Sequence, residues 1–324
     1  MIERRAFISG LLSLAGAPAF ARAETQPGLR KIGYLHPAGV GSTHPTLAIL
    51  RPVWQRLGYV EGETVLLRSA EGDPRRLPEL LTELISLEVG VLIVFGSLTV
   101  RVAAQATKTT PIVAVDLESN PINTGLAASF ARPGGNVTGL FLDQPSLAGK
   151  WLELLREAAP LIERVALAWD PSTGPDQVDA AKSAARTMGI ETLVVEVRTP
   201  EEFEAACRSL HSERKTGVVQ LSSAALGPFR GRLAEAALKY RLPTISFLKF
   251  YAEAGALMTY GPNLEVYFPR AMVLADKILK GEKPGDLPIG QPDRYELVIN
   301  LKTAKALGII IPPTLLARAD ELIE

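Results

Sequence analysis

The chain has 324 residues, of which 47% are apolar and 22% are charged, a composition typical of a globular protein with one large or two medium domains. Its 35 basic residues balance 35 acidic residues, which excludes a general attraction for nucleic acid or for an anionic membrane. The single cysteine, Cys207, excludes an intramolecular disulfide.

The first 23 residues have the layout of a cleavable secretory signal. Arg4 and Arg5 precede an apolar run over residues 10–20, and Ala21-Arg22-Ala23 offers small residues where a signal peptidase cuts. The run is shorter than the ~20 residues of a membrane-spanning helix, and no cysteine follows it as a lipid acceptor. The paired arginines resemble a twin-arginine export signal. We expect cleavage after Ala23 and a free periplasmic protein; the alternative is an amphipathic first helix that stays on the chain.

From residue 31 onward, short apolar strands alternate with amphipathic helical stretches. The pattern predicts strands at 32–35, 65–68, 91–95 and 112–115, with helices at 46–57, 77–87 and 100–107. Strands that are apolar throughout and are separated by helices are typical of a parallel sheet covered on both faces.

The same alternation starts again in the second half of the chain. It predicts strands at 165–169, 192–197, 218–221 and 244–247, with helices at 178–188, 201–211 and 230–240. Two such sets exceed one core, so the sequence predicts an α/β fold with two Rossmann-like lobes and parallel sheets. Strand-like segments at 137–143, 257–260 and 295–300 are predicted to cross between the lobes as a multi-strand hinge.

These segments define the expected domain organisation. After the signal at 1–23, lobe 1 takes residues 24–141 and lobe 2 takes residues 142–258. The chain is expected to return to lobe 1 at 259–292 and to end in a segment at 293–324 that packs on lobe 2. Ligands of such folds bind where the carboxyl ends of the strands face the cleft.

That rule selects candidate ligand contacts in the first half. Gly96, Ser97 and Thr99 join the third strand to a helix, where N–H and hydroxyl donors can hold a carboxylate or simply cap the helix. Asp116 and Asn120 follow the fourth strand, where a carboxylate or an amide could face a ligand ammonium or merely organise the turn.

The second half offers a matching set of candidates. Ser222 follows the strand at 218–221 and repeats the hydroxyl at a helix start. Phe250 and Tyr260 are candidate aromatic walls for a ligand. Tyr34 and Trp169 lie at or near strand ends and rank below them, and core packing is the expected role of Trp169.

Catalytic and metal chemistry find little support in the sequence. His36, His44 and His211 have no metal-ligand spacing, and the chain carries no G-x-S-x-G or Walker loop. The glycine-rich stretch at 132–136 precedes a strand instead of a helix, which argues against a phosphate loop. Cys207 lies in a helical pattern four residues before His211, and we expect a buried structural role for it instead of a catalytic one. We expect no enzyme activity, no metal and no cofactor.

Several long stretches resemble one protein family. They read GYVEG at 58–62, RPGGNVTG at 132–139, EAG at 253–255, YGPN at 260–263, LVINLKTAKALG at 297–308, and IPP with RADE between 311 and 321. These stretches are similar to the tryptophan/tyrosine-binding-like ABC transporter substrate-binding proteins, and the resemblance extends over almost the whole mature chain. The resemblance implies a type I periplasmic binding protein fold, capture of a small amino-acid-like or aromatic solute, delivery to an inner-membrane ABC permease, and no catalysis.

The chain departs from this family at two places. Many relatives have an aspartate where this chain has Asn120, and an Arg-Glu pair where it has Lys249 and Phe250. An asparagine cannot pair with an ammonium as a charge, and a lysine cannot reproduce the bidentate fork of arginine. If these side chains face the cleft, a zwitterionic amino acid becomes a less secure ligand.

Three other functions fit parts of the sequence. A transcription regulator that shares the bilobed fold would need a DNA-binding segment where the signal stands. A dehydrogenase would need a complete G-x-G-x-x-G motif, and Gly39 and Gly41 supply only part of one. A ligand-sensing receptor subunit that docks on a membrane signalling protein remains the principal alternative to delivery to a permease.

Overall fold

The computed structural model describes residues 31–39, 41, 44–142, 147–211 and 215–324. The predicted signal at 1–23, with its cleavage site, lies outside the described residues. Within the described ranges, no helix combines the length and the apolar character needed to cross a membrane.

A five-stranded parallel sheet forms the first half of the molecule, which we call lobe 1. Its strands are β1 (Ile32–His36), β2 (Val65–Ser69), β3 (Val91–Phe95), β4 (Ile112–Asp116) and β5 (Val137–Phe141). They lie in the order β2-β1-β3-β4-β5. Four of the five are buried at every residue, as expected for apolar strands in a sheet with both faces covered. The first covering helices along the chain are α1 (Pro45–Arg56), α2 (Leu77–Ser86) and α3 (Ser97–Ala106).

A seven-stranded sheet forms the second half, lobe 2. The strands are β6 (Arg164–Trp169), β7 (Glu191–Glu196), β8 (Thr216–Gln220), β9 (Thr244–Ser246), β10 (Met258–Pro262), β11 (Tyr295–Asn300) and β12 (Glu321–Ile323), in the order β12-β11-β10-β9-β8-β6-β7. The helices are α4 (Ala148–Ala158), α5 (Asp176–Thr187), α6 (Pro200–His211), α7 (Arg230–Lys239), α8 (Lys249–Glu253), α11 (Leu301–Leu307) and α12 (Pro313–Leu316). The predicted α/β fold with two largely parallel sheets is confirmed.

In the part of the chain that the structure describes, the chain passes between the lobes along three segments. The first leaves lobe 1 after β5. The second follows β10 and contains α9 (Leu264–Tyr267) and α10 (Pro269–Leu279), and α10 packs against α1, β3 and β4 of lobe 1. The third runs from Gly290, which pairs with Leu140 beside the edge of lobe 1, to the start of β11.

The prediction for two of the hinge segments needs correction. Residues 257–260 and 295–300 were expected to cross between the lobes, but they belong to the neighbouring strands β10 and β11 of lobe 2. Because β10 leads out towards lobe 1 and β11 returns from it, these two strands are antiparallel within an otherwise parallel sheet. The crossings begin and end at the edges of these strands instead.

Two glycines in the stretches RPGGNVTG and YGPN lie at positions that leave no room for a side chain. Gly139 in β5 has φ +141° and lies against the backbone of Ala114 in the neighbouring strand β4. Gly261 in β10 lies against the carbonyl of Phe247, just after β9. A Cβ at either position would overlap backbone atoms, so the close approach of two chain segments requires glycine there.

Candidate functional site

The two lobes enclose a cavity at the carboxyl ends of their strands, which we call the interlobe cavity. Lobe 1 contributes the ends of β1 and β3 and the loop after β4, and lobe 2 contributes the loops after β8 and β9. The empty space amounts to about 540 Å³, part of it open to solvent. This position is where ligands of open α/β sheets bind.

Aromatic rings form much of the wall of this cavity. Phe95 at the end of β3 packs edge-on against Phe268, with ring centroids 5.8 Å apart. On the other side, Phe250 packs against Tyr251 with centroids 5.2 Å apart, and Phe247 lies next to them. Such rings offer large apolar surfaces against which a flat apolar group can pack.

Glu118 is a buried carboxylate that joins the two lobes at this cavity. One of its oxygens accepts a hydrogen bond from the backbone N–H of Ser97 in lobe 1, at 2.9 Å. The other accepts a hydrogen bond from the hydroxyl of Ser222 in lobe 2, at 2.8 Å. The side chain therefore caps the start of α3 and at the same time joins the two lobes through a hydrogen bond.

Burial changes the acidity of this carboxyl group. It raises the pKa of Glu118 to about 8, and the nearby charge of Asp116 contributes in the same direction. Burial also raises the pKa of Asp116. Two carboxylates this close, both out of water, disfavour double ionisation, so we expect Glu118 to carry its proton over much of the neutral range.

Asp116, which was expected to face a ligand ammonium or to organise the turn, is placed as a turn residue. It is completely buried, and its carboxylate accepts hydrogen bonds from the N–H groups of Glu118 and Ser119, each at 2.9 Å. The Ser119 hydroxyl donates a third hydrogen bond at 2.5 Å. This network fixes the loop that carries Glu118, so Asp116 supports the site from behind.

The predicted stretch at the start of α3 lies between the interlobe cavity and a neighbouring cleft of about 980 Å³. Gly96 lines both spaces and has φ +80°, a conformation that glycine adopts without strain. The Ser97 hydroxyl donates to the carbonyl of Thr173 in lobe 2 at 3.2 Å. Thr99 is fully buried, and its hydroxyl has no hydrogen-bond partner among the described residues.

In lobe 2, Ser222 and Phe250 both line the interlobe cavity. The N–H of Ser222 donates to the side-chain oxygen of Gln177 at 2.8 Å, while the amide group of Gln177 donates to the Ser222 carbonyl at 3.1 Å. The next residue, Ser223, is held by Asp170 through a hydrogen bond of 2.6 Å. These contacts fix the direction of the Ser222 hydroxyl.

Two other candidates lie away from the cavity. Tyr260 stacks on Tyr295 with centroids 5.9 Å apart, and its carbonyl accepts a hydrogen bond from Trp151 at 2.7 Å. Tyr260 belongs to β10, where successive side chains point to opposite faces of the sheet, so its place in the strand sets its direction. Asn120 caps a turn, because its side-chain oxygen accepts a hydrogen bond from the N–H of Ile122 at 2.9 Å.

The lower-ranked aromatic candidates, Tyr34 and Trp169, contact other parts of the protein. Tyr34 is fully buried and packs against Phe95 with centroids 5.0 Å apart, although its hydroxyl has no partner among the described residues. The indole N–H of Trp169 donates to the carbonyl of Gly174 at 2.9 Å.

Sequence reasoning missed several residues of the cavity wall, above all Glu118, His36, His44 and Arg230. His36 is the last residue of β1, so the rule about strand ends could have selected it. The histidines were considered only as metal ligands, and Arg230 stands at the start of a helix far along the chain. Its proximity to His44 depends on how the lobes meet, for which no local pattern exists.

Other reactive side chains in the described ranges give no second site. The described part of the chain contains no group of three potential metal ligands among its His, Cys, Asp and Glu residues. Cys207 is buried in α6, and burial raises the pKa of its thiol to about 12. A thiol with that pKa is protonated at neutral pH and is a poor nucleophile.

Comparisons with known proteins identify the family and the fold of the chain. A tyrosine-binding protein of Clostridioides difficile is 26% identical over 258 residues, which are 78% of this chain and 73% of that protein. An ABC domain from Streptococcus pneumoniae, solved in complex with L-Trp, has a TM-score of 0.80 to this structure at 22% identity. A ligand-free, open substrate-binding protein from Clostridium difficile has a TM-score of 0.60 at 24% identity. Each of these two alignments covers 90% of this chain and 99% of the other chain. The fold is that of the type I periplasmic binding proteins. Residues 50–323 match the model of the ABC transporter substrate-binding proteins, and the chain belongs to that family.

Proposed function

We propose that this protein captures an aromatic amino acid in the interlobe cavity outside the cytoplasmic membrane and delivers it to an ABC permease. The observation that carries the proposal is the cavity itself, walled by aromatic rings from both lobes and bridged by the buried side chain of Glu118. Relatives described as binding tyrosine and as crystallised with L-Trp favour the same ligand class.

The two departures from the family pattern weigh little against a zwitterionic ligand. Lys249 forms a surface ion pair with Glu321 at 2.7 Å and does not line the interlobe cavity. The side-chain oxygen of Asn120 accepts a hydrogen bond from the N–H of Ile122 within its own turn. Neither side chain is among the residues that line the interlobe cavity.

Lobe closure provides the mechanism. Among the described residues, hydrogen bonds cross directly between the lobes from Ser97 to Thr173, from Arg101 to Ser172 and from Ser222 to Glu118. The higher TM-score to the L-Trp complex than to the open, ligand-free relative also fits a closed arrangement. A ligand that contacts both lobes binds the closed form better than the open one and so shifts the population towards closure. The permease would then recognise the closed surface.

A thermal-shift screen followed by calorimetry tests the ligand class. The protein starting at Glu24 is heated with L-tryptophan, L-tyrosine and L-phenylalanine, and with L-leucine and L-glutamate as controls. A ligand that binds only the folded chain raises its unfolding temperature. We expect a rise with at least one aromatic amino acid and none with glutamate. A chain stabilised by the controls alone would contradict the proposal.

A further inference from the structure

We propose that Arg230 and His44 form a carboxylate-binding subsite in the wall of the interlobe cavity, so that the protein accepts aromatic ligands only when they carry a carboxylate. This inference deepens the proposed function and rests on it. It assigns the carboxylate end of the ligand to one corner of the cavity.

Arg230 is a cation without an ionic partner among the described residues. It is half-buried and lines the cavity, and its guanidinium lies over the ring of Phe250 at 5.3 Å from the centroid. Its hydrogen bond goes to the carbonyl of Gly227 within its own turn, at 3.4 Å. The guanidinium therefore keeps donors for the fork-like recognition of a carboxylate.

Helix stability does not explain a cation at this position. Arg230 is the first residue of α7, and the first turn contains no acidic residue. The amino end of a helix carries partial positive charge, which disfavours a cation. Arg232, two residues further on, has a structural explanation because it forms an ion pair with Glu201 at 2.6 Å. Arg230 has no such ion pair among the described residues, and its guanidinium faces the cavity that a ligand would fill.

His44 faces the same corner from lobe 1. It lines the cavity, and its Nδ1 is buried without a hydrogen-bond partner among the described residues. Burial and, secondarily, the charge of Arg230 lower the pKa of His44 to about 4, which indicates that the two groups lie close together. The imidazole is therefore neutral and has an N–H to donate.

The start of α1 adds to the positive potential at this corner. The helix begins at Pro45 directly after His44, whose side chain does not cap it, and Thr46 also lines the cavity. A carboxylate there would contact His44 of lobe 1 and Arg230 of lobe 2 together. Its aromatic group would pack against Phe95 and the other rings of the cavity wall. Binding the carboxylate therefore also draws the lobes together.

Pairs of ligands that differ only in the carboxylate test the subsite. The pairs are L-tryptophan with tryptamine and L-tyrosine with tyramine, titrated calorimetrically into the protein starting at Glu24. We expect the amine of each pair to bind the wild-type protein at least ~100-fold more weakly than the amino acid. Equal affinity for amine and amino acid would overturn the inference.

Arginine variants locate the effect. Arg230→Gln should weaken binding of the amino acid by ~10- to 100-fold without weakening binding of the amine, so the difference in affinity within each pair should shrink, and Arg230→Lys should restore part of the loss. Arg232→Gln is the matched control on the same helix and should bind as the wild type does. Wild-type affinity for the amino acid in a folded Arg230→Gln variant would exclude the subsite.

A separate measurement keeps the subsite testable if none of the four ligands binds, which would contradict the proposed function. Sodium benzoate is then titrated into protein with ¹⁵N-labelled histidine. A shift of the His44 ring resonances in the wild type that is absent from Arg230→Gln would support the carboxylate subsite. Unchanged resonances in the wild type would overturn it.

Discussion

Glu118 combines three roles that are usually separate. It caps α3 through the N–H of Ser97, it receives the Ser222 hydroxyl from the opposite lobe, and it lines the interlobe cavity. Because it is buried beside Asp116, keeping a charge there is costly. The residue therefore links the protonation state of the site to lobe closure.

This linkage predicts a pH dependence of stability. Burial raises the pKa of Glu118 from 4.5 to about 8, so the folded chain binds more protons than the unfolded chain between these values. The contribution of Glu118 to stability is complete below pH 4.5 and is lost as the pH rises through 8. We expect the free energy of unfolding to fall by about 1–3 kcal/mol from this group between pH 5 and 8.

Glu118→Gln isolates that contribution. A glutamine can accept from Ser97 and donate to Ser222, but it does not titrate. Urea denaturation at several pH values should show a flatter dependence for the variant than for the wild type, with the two curves converging at low pH. Parallel curves from pH 5 to 8 would contradict a raised pKa at this residue.

At the scale of the elements, α3 connects the lobes through two hydrogen bonds. Ser97 at its start and Arg101 one turn later both donate to backbone carbonyls of the turn after β6, the latter to Ser172 at 2.7 Å. These bonds exist only when the lobes are together. They therefore stabilise the closed state relative to the open one.

Removing one of these bonds should weaken ligand binding without unfolding the protein. Arg101→Ala loses a charge-assisted hydrogen bond, which in net terms contributes about 1.5–3 kcal/mol. We expect the Kd for the ligand to rise by roughly tenfold to a hundredfold. The matched control is Arg75→Ala, which removes an exposed arginine that pairs with Asp73.

Calorimetric titration and thermal unfolding of both arginine variants are the required measurements. An unchanged Kd in Arg101→Ala would show that α3 does not hold the lobes together. A lower Kd would show that this contact favours the open form.

The close approach of β10 to the cavity wall gives a second prediction at this scale. Gly261→Ala would place a methyl group against the carbonyl of Phe247, which lines the interlobe cavity. The backbone must shift, so we expect a loss of about 1–3 kcal/mol in stability and weaker binding. Gly231→Ala, in α7 with open space around it, is the control. Equal stability of the two variants in chemical denaturation would contradict this account.

Sequence patterns predicted most of the helices and strands, because the formation of each helix or strand depends on residues that are close together in the sequence. Apolar runs such as those of β3 and β4 indicate buried strands, and the rule about strand ends selected Gly96, Ser97 and Ser222, all of which lie at the meeting of the lobes. Their contact with a ligand stays a prediction. Failures arose where two distant segments meet.

Glu118 and Asp116 show why those failures arose. Asp116 is the last residue of β4 and Glu118 follows the strand, and nothing in the local sequence says which carboxylate serves its own loop and which one reaches the other lobe. The position of Tyr260 also depends on distant residues, because the pairing of β10 with β11 sets its direction; its contact with a ligand stays a prediction. The corner formed by His44 and Arg230 brings together residues almost 190 positions apart, and only the folded chain reveals it.

At the scale of the whole molecule, export can be tested separately from ligand binding. The mature chain should begin at Glu24, and mass spectrometry of periplasmic protein tests that cleavage directly. If the twin-arginine route is used, Arg4→Lys with Arg5→Lys should abolish or strongly reduce export, measured by cell fractionation. Export that survives this double change would exclude the twin-arginine route, although not export itself.

The central claim is that an aromatic amino acid binds between the lobes and closes them, and small-angle X-ray scattering tests it most directly. Scattering is recorded from the mature protein alone and with a saturating concentration of the amino acid selected by the thermal-shift screen. We expect a smaller radius of gyration with ligand, because contact with both lobes favours the closed form. Arg101→Ala should show an intermediate response at subsaturating ligand. An unchanged radius of gyration in the wild type at full saturation would contradict binding by lobe closure.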